Sequence, residues 1–144
     1  MQKIIPFLWF DGHVEEAVAF YTSVFKNARV LSMNPTSATF EIEGQEFMAL
    51  NGGPQYKFTE AVSFFIKCKT QDEVDYYWDR LGEGGSDLQC GWLKDKFGLS
   101  WQVIPNILGQ LLSGPDRAKS QRVMHAMLKM KKIIVADLEA AAAG

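Results

Sequence analysis

The segment Cys90–Pro105, CGWLKDKFGLSWQVIP, contains the polar side chain with the clearest potential for ligand chemistry. Gln102 lies between Trp101 and Val103 in a run that predicts a strand with both faces buried. Two roles are open to an amide in such a place. It can hydrogen-bond a neighbouring strand inside the core, or it can project into a binding cavity. Asp95, in the turn before this strand, is expected to be solvated.

The two cysteines and the two histidines are too scattered in the sequence to predict a nucleophile or a metal centre. Cys68 and Cys90 form no CxxC pair, and Cys68 falls on a strand that is predicted to be buried. His13 is expected at the start of a helix and His125 in the C-terminal tail. Thiol catalysis and zinc binding need a base or further ligands at close spacing, which the sequence does not place beside these residues.

Length and composition predict a globular protein that binds neither nucleic acid nor membrane. The chain has 144 residues, of which 47% are hydrophobic and 12% aromatic, and its net charge is −2. This charge provides no basic surface for nucleic acid, and no apolar run is long enough for a transmembrane helix. The first residues, MQKIIPFLWFDG, predict a strand rather than a signal peptide. We therefore expect reduced thiols and a cytoplasmic location.

The spacing of apolar residues predicts two successive β-α-β-β-β units followed by helices. Alternating and continuous apolar runs indicate strands, and recurrence at i, i+3, i+4 and i+7 indicates helices. In the first unit the pattern predicts strands over 4–10, 29–33, 38–43 and 46–50, with a helix over 13–25. In the second it predicts strands over 61–67, 91–93 and 99–104, a short strand near Leu88, and a helix that begins at the capping box Thr70-Gln71-Asp72-Glu73.

The two units also match each other when the sequence is compared with itself. An offset of 57 residues places Pro6 on Ser63, and an offset of 54 places Met48 on Gln102. We predict one α+β domain over residues 1–144, with paired modules 1–53 and 54–105 and a C-terminal helical extension, 106–144. The eight strands would form a mixed, open, barrel-like sheet. One face of each module would pack on its helix, and the other would line a cleft between the modules.

Five segments together resemble a known family: PFLWFDGHVEEAVAFYTSVF, FMALNGGP, KFTEAVSF, CGWLKDKFGLSWQVIP and VMHAMLKMKKIIVADLEAA. They resemble the PhnB-like branch of the glyoxalase/bleomycin-resistance/vicinal-oxygen-chelate superfamily. That branch is often labelled 3-demethylubiquinone-9 3-methyltransferase-like. The resemblance implies the paired-module glyoxalase fold and a homodimer.

The resemblance also implies the positions at which a metal ion would be held. In the superfamily's metal enzymes, four His, Glu or Gln ligands on the inner faces of four strands bind a divalent ion. The matching positions here are near Pro6, Phe47 or Met48, Ser63 and Gln102, and only Gln102 is a credible ligand. We therefore expect no metal site and no cofactor. The methyltransferase label predicts no activity, because the sequence lacks a glycine-rich strand-to-helix turn that would hold a cofactor.

The predicted function is the binding of a small molecule in an aromatic-lined cleft, without a conventional metal site. Gln102 and Ser63 are the predicted polar anchors. The other cleft candidates are aromatic, namely Trp9, Phe47, Phe65, Trp101 and, at the rim, Tyr56. Two alternatives remain. One is a metal-dependent lyase, isomerase or dioxygenase of the vicinal-oxygen-chelate type, and the other is a protein-interaction module that uses the C-terminal helices.

Overall fold

The computed structural model describes residues 2–144 and has an α+β fold. In this part of the chain the strands are β1 Phe7–Phe10, β2 Ala28–Met33, β3 Ser37–Ile42, β4 Gln45–Asn51, β5 Ser63–Cys68, β6 Ser86–Asp87, β7 Trp92–Lys94 and β8 Ser100–Pro105. The helices are α1 Val14–Val24, α2 Gln71–Gly82, α3 Asn106–Leu112, α4 Arg117–Leu128 and α5 Val135–Ala143. The predicted order of elements is therefore confirmed.

The eight strands form two four-stranded mixed sheets, not the one continuous sheet expected from the sequence. The chain divides into two compact units, Met1–Phe58 and Thr59–Gly144, and each unit contains one sheet. The boundary falls a few residues after the predicted one at 53/54. A single domain with two modules and an extension stays a prediction.

In the first unit, α1 packs on a sheet with the strand order β1-β4-β3-β2. β1 runs parallel to β4, and the other pairs are antiparallel. Tyr21 of α1 stacks on Phe40 of β3 with ring centroids 6.3 Å apart, and Phe40 stacks on its cross-strand partner Phe47 at 5.4 Å. Phe47 therefore lies on the face of this sheet that packs on α1.

In the second unit, α2 packs on a sheet with the strand order β5-β8-β7-β6. The start of α2 confirms the predicted capping box, because Thr70 Oγ1 accepts from the backbone N–H of Glu73 at 3.2 Å. The Glu73 carboxylate accepts in return from the N–H of Lys69 at 2.6 Å. Leu93 of β7 faces this helix, since a Cβ built on Gly82 would lie 3.9 Å from Leu93 Cδ2.

The C-terminal helices belong to the second unit and share a core with the end of β8. The buried members of this core are Ile104, Leu108, Val123, Ile133 and Leu138. Gln71 of α2 ties the segment before α5 in place. Its Nε2 donates to the Ile133 carbonyl at 3.0 Å, and its Oε1 accepts from the Val135 N–H at 2.6 Å. The tail is thereby anchored to α2 by hydrogen bonds as well as by apolar packing.

Candidate functional site

The polar residues of the candidate site lie on one face of the second sheet, the face that is turned away from α2. We call it the distal face. Side chains alternate along a strand, so the neighbours of the helix-facing residues Leu93 and Trp101 point to the distal side. Cross-strand partners share a face, and the register extends this assignment over three strands. The distal residues used below are Ser63 and Phe65 of β5, Trp92 and Lys94 of β7, and Ser100 and Gln102 of β8.

Gln102 and Ser63, the two predicted polar anchors, are in direct contact. Gln102 Nε2 donates to Ser63 Oγ at 3.0 Å, across the parallel pair β5–β8. Both side chains are half-buried. In the register Gln102 is opposite Phe65 on one side and Trp92 on the other. The amide therefore makes the neighbouring-strand hydrogen bond that was the first of its two predicted roles, and it does so between two aromatic side chains.

Ser100 is a site residue that the sequence reasoning missed. It is directly opposite Ser63 on β5 and Lys94 on β7. Its side chain is 0% exposed, and its Oγ has no hydrogen-bond partner among residues 2–144. A buried hydroxyl without a partner is unusual and costs desolvation free energy. Its position two residues before Gln102 on the same strand was the available signal.

Lys94 and Glu60 form an ion pair at the same end of the distal face. Glu60 lies in the segment before β5, and its side chain is 52% exposed. The hydrogen bond and the positive charge of Lys94 hold the pKa of the Glu60 carboxyl below its ordinary value of 4.5. Because β8 lies between β5 and β7, this pair spans the start of β8, where Ser100 lies.

Trp101 lies on the opposite face from Gln102, among the residues that pack towards α2. Its Nε1 donates to Asp95 Oδ2 at 2.9 Å. Asp95 also accepts from the backbone N–H groups of Phe97 and Leu99, and it is 3% exposed. The expectation that Asp95 is solvated was therefore wrong. Its carboxylate organises the turn that leads into β8, which is why it is buried.

Two other predicted aromatics, Trp9 and Tyr56, meet each other in the first unit. The edge of one ring packs on the other, with the centroids 5.0 Å apart. Trp9 Nε1 donates to the Gly53 carbonyl at 2.9 Å. A Cβ on Gly52 would lie 2.2 Å from Trp9 Cε2, so only glycine allows the backbone to approach this ring. Tyr56 is 67% exposed, and its place at the rim of a cleft stays a prediction.

The residues at the superfamily's metal positions do not fit a divalent ion. Met48 is opposite Phe7 in the first sheet, and Gln102 is opposite Phe65 in the second. Phe7 therefore corresponds to Phe65, and the first strands of the two units match at an offset of 58 residues, not at the predicted 57. The second unit then contributes one amide and one hydroxyl, and the first contributes the thioether of Met48. Hard divalent ions prefer carboxylates, and zinc prefers imidazole or thiolate. Within residues 2–144 no group of three or more His, Cys, Asp and Glu side chains is placed to hold a metal.

Neither Cys68 nor the pocket at the start of α1 adds a competing site. Burial is the main cause that raises the pKa of the Cys68 thiol to about 12, so this thiol is protonated at neutral pH. The pocket has a volume of about 550 Å³. Three of its polar side chains are already engaged, because His13 pairs with Glu16 at 3.3 Å and Asn51 Oδ1 accepts from the Val14 N–H at 3.0 Å.

The paired units and the matches to known proteins define the class of protein. This is the glyoxalase-like, vicinal-oxygen-chelate fold. A family model described as 3-demethylubiquinone-9 3-methyltransferase matches residues 2–104. The chain belongs to this PhnB-like family. Residues 105–144, and with them the tail segment of the resemblance, lie outside the match.

Solved structures agree with this assignment. The PhnB protein from Bacillus cereus is 35% identical, with a TM-score of 0.67, and the match covers 72% of this chain and 99% of that one. A Pseudomonas aeruginosa protein is 21% identical, with a TM-score of 0.60 and coverage of 73% and 98%. The fosfomycin resistance protein FosX from Listeria monocytogenes, solved with Mn(II) and sulfate, is 16% identical, with a TM-score of 0.53 and coverage of 70% and 87%. The last two share the fold alone. A search of the curated proteins finds no match.

No helix within the described residues has both the length and the apolar character that crossing a membrane requires.

Proposed function

We propose that this protein binds a small molecule on the distal face of the second sheet, without a conventional metal ion. Gln102 and Ser63 are the polar anchors, and Phe65 and Trp92 are the apolar walls. The observation that carries the proposal is the hydrogen-bonded pair Gln102–Ser63, which is half-buried between two aromatic residues on a face turned away from the helix. Small-molecule sites typically combine apolar walls with a few placed polar groups.

The anchor pair retains hydrogen-bonding capacity for a ligand. A glutamine amide has two N–H donors and a carbonyl acceptor, and a serine hydroxyl both donates and accepts. The contact between them uses one donor of Gln102 and one acceptor site of Ser63. Phe65 beside them is 55% exposed, and a large apolar side chain exposed next to placed polar groups is typical of binding surfaces.

A melting-temperature screen against a metabolite library tests this proposal. A ligand that binds only the folded state raises the melting temperature by mass action, and calorimetry then gives its dissociation constant. We expect at least one compound whose binding is weakened about tenfold or more by Gln102→Ala, because a buried hydrogen bond is lost. Gln110→Ala, at an exposed position of α3, is the matched control. Compounds that bind equally to both variants would place the ligand elsewhere.

The metal-dependent alternative is tested in the same assay. Mn²⁺, Ni²⁺, Zn²⁺, Fe²⁺ and Mg²⁺ are added in turn, and the metal content of protein purified without chelator is measured. The proposal expects no stoichiometric ion and no shift in melting temperature. One ion per chain, with a shift abolished by Gln102→Ala, would contradict the metal-free proposal and favour a lyase, isomerase or dioxygenase.

Exposed apolar side chains on α4 favour a second candidate, an interaction role for the C-terminal helices. Met124 and Leu128 lie one turn apart and are 39% and 55% exposed. The implied homodimer stays a prediction, and light scattering measures it. If this face makes the contact, the double variant Met124→Glu, Leu128→Glu lowers the measured mass while the melting temperature changes little. An unchanged mass would remove this face from the dimer contact.

A further inference from the structure

Four polar side chains lie together at the start of β8. Lys94 is opposite Ser100, Ser100 is opposite Ser63, and Ser63 accepts from Gln102. Within this set Lys94 carries the positive charge, and its present partner is the carboxylate of Glu60. The register therefore brings an ammonium group, two hydroxyls and an amide to neighbouring positions of one face, and of these the Ser100 hydroxyl is buried.

The present partner of Lys94 is one that a ligand can replace. Glu60 is half-exposed and lies in the segment that leads into β5, not on a strand. Ion pairs of such exposed groups contribute little to stability. A carboxylate that also reached the Ser100 hydroxyl would gain a hydrogen bond that Glu60 does not make, because Ser100 Oγ has no partner among the described residues.

We propose that the ligand is a small carboxylic acid, and that its carboxylate displaces Glu60 from Lys94. Departure of Glu60 from the start of β8 uncovers the buried Ser100 hydroxyl, which then donates to the ligand carboxylate. This inference rests on the function proposed above and names the ligand class for the same face. One lysine with neighbouring hydroxyls matches a single negative charge, whereas a phosphate dianion calls for more positive charge or an arginine fork. Lys94 already pairs with a carboxylate at this position, that of Glu60.

The proposal predicts opposite effects for the two members of the ion pair. Glu60→Gln removes the internal competitor and tightens acid binding roughly twofold to fivefold. Lys94→Met removes the charged donor and weakens it about tenfold or more. Ser100→Ala weakens it severalfold, because the ligand loses a hydrogen bond. Lys96→Met, at the next lysine in the sequence, is the control and leaves the affinity unchanged.

Titration calorimetry with defined probes tests the ligand class. The probes are pyruvate, lactate and benzoate, each with its neutral amide, and inorganic phosphate. We expect at least one acid to bind more tightly than its amide and than phosphate, and its affinity to rise in Glu60→Gln. The Glu60 variant keeps the test valid if Lys94→Met fails to fold.

Failure of this proposal is distinguishable from failure of the proposed function. Amides that bind as tightly as acids, phosphate that binds more tightly than either, or no binding by any acid would overturn the carboxylate class. So would an unchanged affinity in Glu60→Gln. If the library screen still yields a neutral ligand that depends on Gln102, the proposed function stands. If it yields no ligand that depends on Gln102, the proposed function is wrong as well.

Discussion

Ser63 and Ser100 offer a direct test of the site, because the same substitution has opposite expected effects at two paired positions. They are cross-strand partners on β5 and β8. Ser63 Oγ accepts from Gln102 at 3.0 Å, whereas Ser100 Oγ is buried without a hydrogen-bond partner among residues 2–144. Ser63→Ala therefore removes an interaction, and Ser100→Ala removes a desolvation penalty.

The magnitudes follow from the two environments. Loss of the Ser63 hydrogen bond lowers the free energy of unfolding by about 1 kcal/mol. A buried unsatisfied hydroxyl costs about 1–3 kcal/mol, and the small void left by alanine offsets part of the gain, so Ser100→Ala raises the free energy of unfolding by about 1 kcal/mol. For a chain of this size, each change corresponds to a shift in melting temperature of about 3 °C.

Circular dichroism during thermal unfolding and during urea titration measures both variants, and unchanged m-values confirm that the unfolding reaction is the same. The expected result is a higher melting temperature for Ser100→Ala and a lower one for Ser63→Ala. A loss of stability in Ser100→Ala as large as that in Ser63→Ala would refute the reasoning, because it would mean that Ser100 is hydrogen-bonded in the ligand-free protein.

Three further outcomes are expected. Gly52→Ala forces a Cβ into the Trp9 ring and lowers the free energy of unfolding by about 1–3 kcal/mol. The control Gly109→Ala, in open space on α3, keeps or raises the free energy of unfolding. Equal melting temperatures for the two variants would contradict this prediction. Asp95→Asn places an amide where the carboxylate accepts from three N–H donors, and it lowers the free energy of unfolding by about 2 kcal/mol or more. Urea unfolding measures this loss, and an unchanged free energy of unfolding would contradict the prediction. The Cys68 thiol stays unreactive towards Ellman's reagent at pH 8 until the protein unfolds. Prompt labelling of the folded protein would contradict the burial of this thiol. Folding raises the pKa of the Cys68 thiol from 9.0 to about 12. The contribution of the thiol to the free energy of unfolding is therefore complete below pH 9 and is lost as the pH rises towards 12.

Local signals in the sequence predicted most of the secondary structure. The helical spacing from Val14 to Val24 predicted α1 to within about two residues, and the capping box at Thr70 predicted the start of α2. β1 is shorter than expected, since it begins at Phe7 and not at Ile4. Pro6 immediately before it has no backbone N–H to give to a sheet, and this marks a boundary that hydrophobicity alone does not show.

The candidate site was only half predictable. Gln102 stood out as a polar residue in an apolar strand, and the family resemblance pointed to Ser63. Alternation already implied that Trp101 cannot share a face with Gln102, and the structure places Trp101 against Asp95 on the side that packs towards α2. Phe47 is likewise on the α1 side, so of the two candidates Phe47 and Met48 it is Met48 that lies on the outer face of β4.

Sequence alone determined the family, the order of the helices and strands and the polar position Gln102, because these depend on residues close together in the chain. Tertiary structure alone decided that Ser100 is opposite both Ser63 and Lys94, and that Glu60 is the partner of Lys94. The physical reason is strand register. A shift of one residue between β5 and β8 leaves every local pattern almost unchanged but moves each side chain of a strand to the other face of the sheet. Register depends on packing between segments distant in the sequence, and it brings together the hydroxyls, the amide and the ion pair of the proposed site.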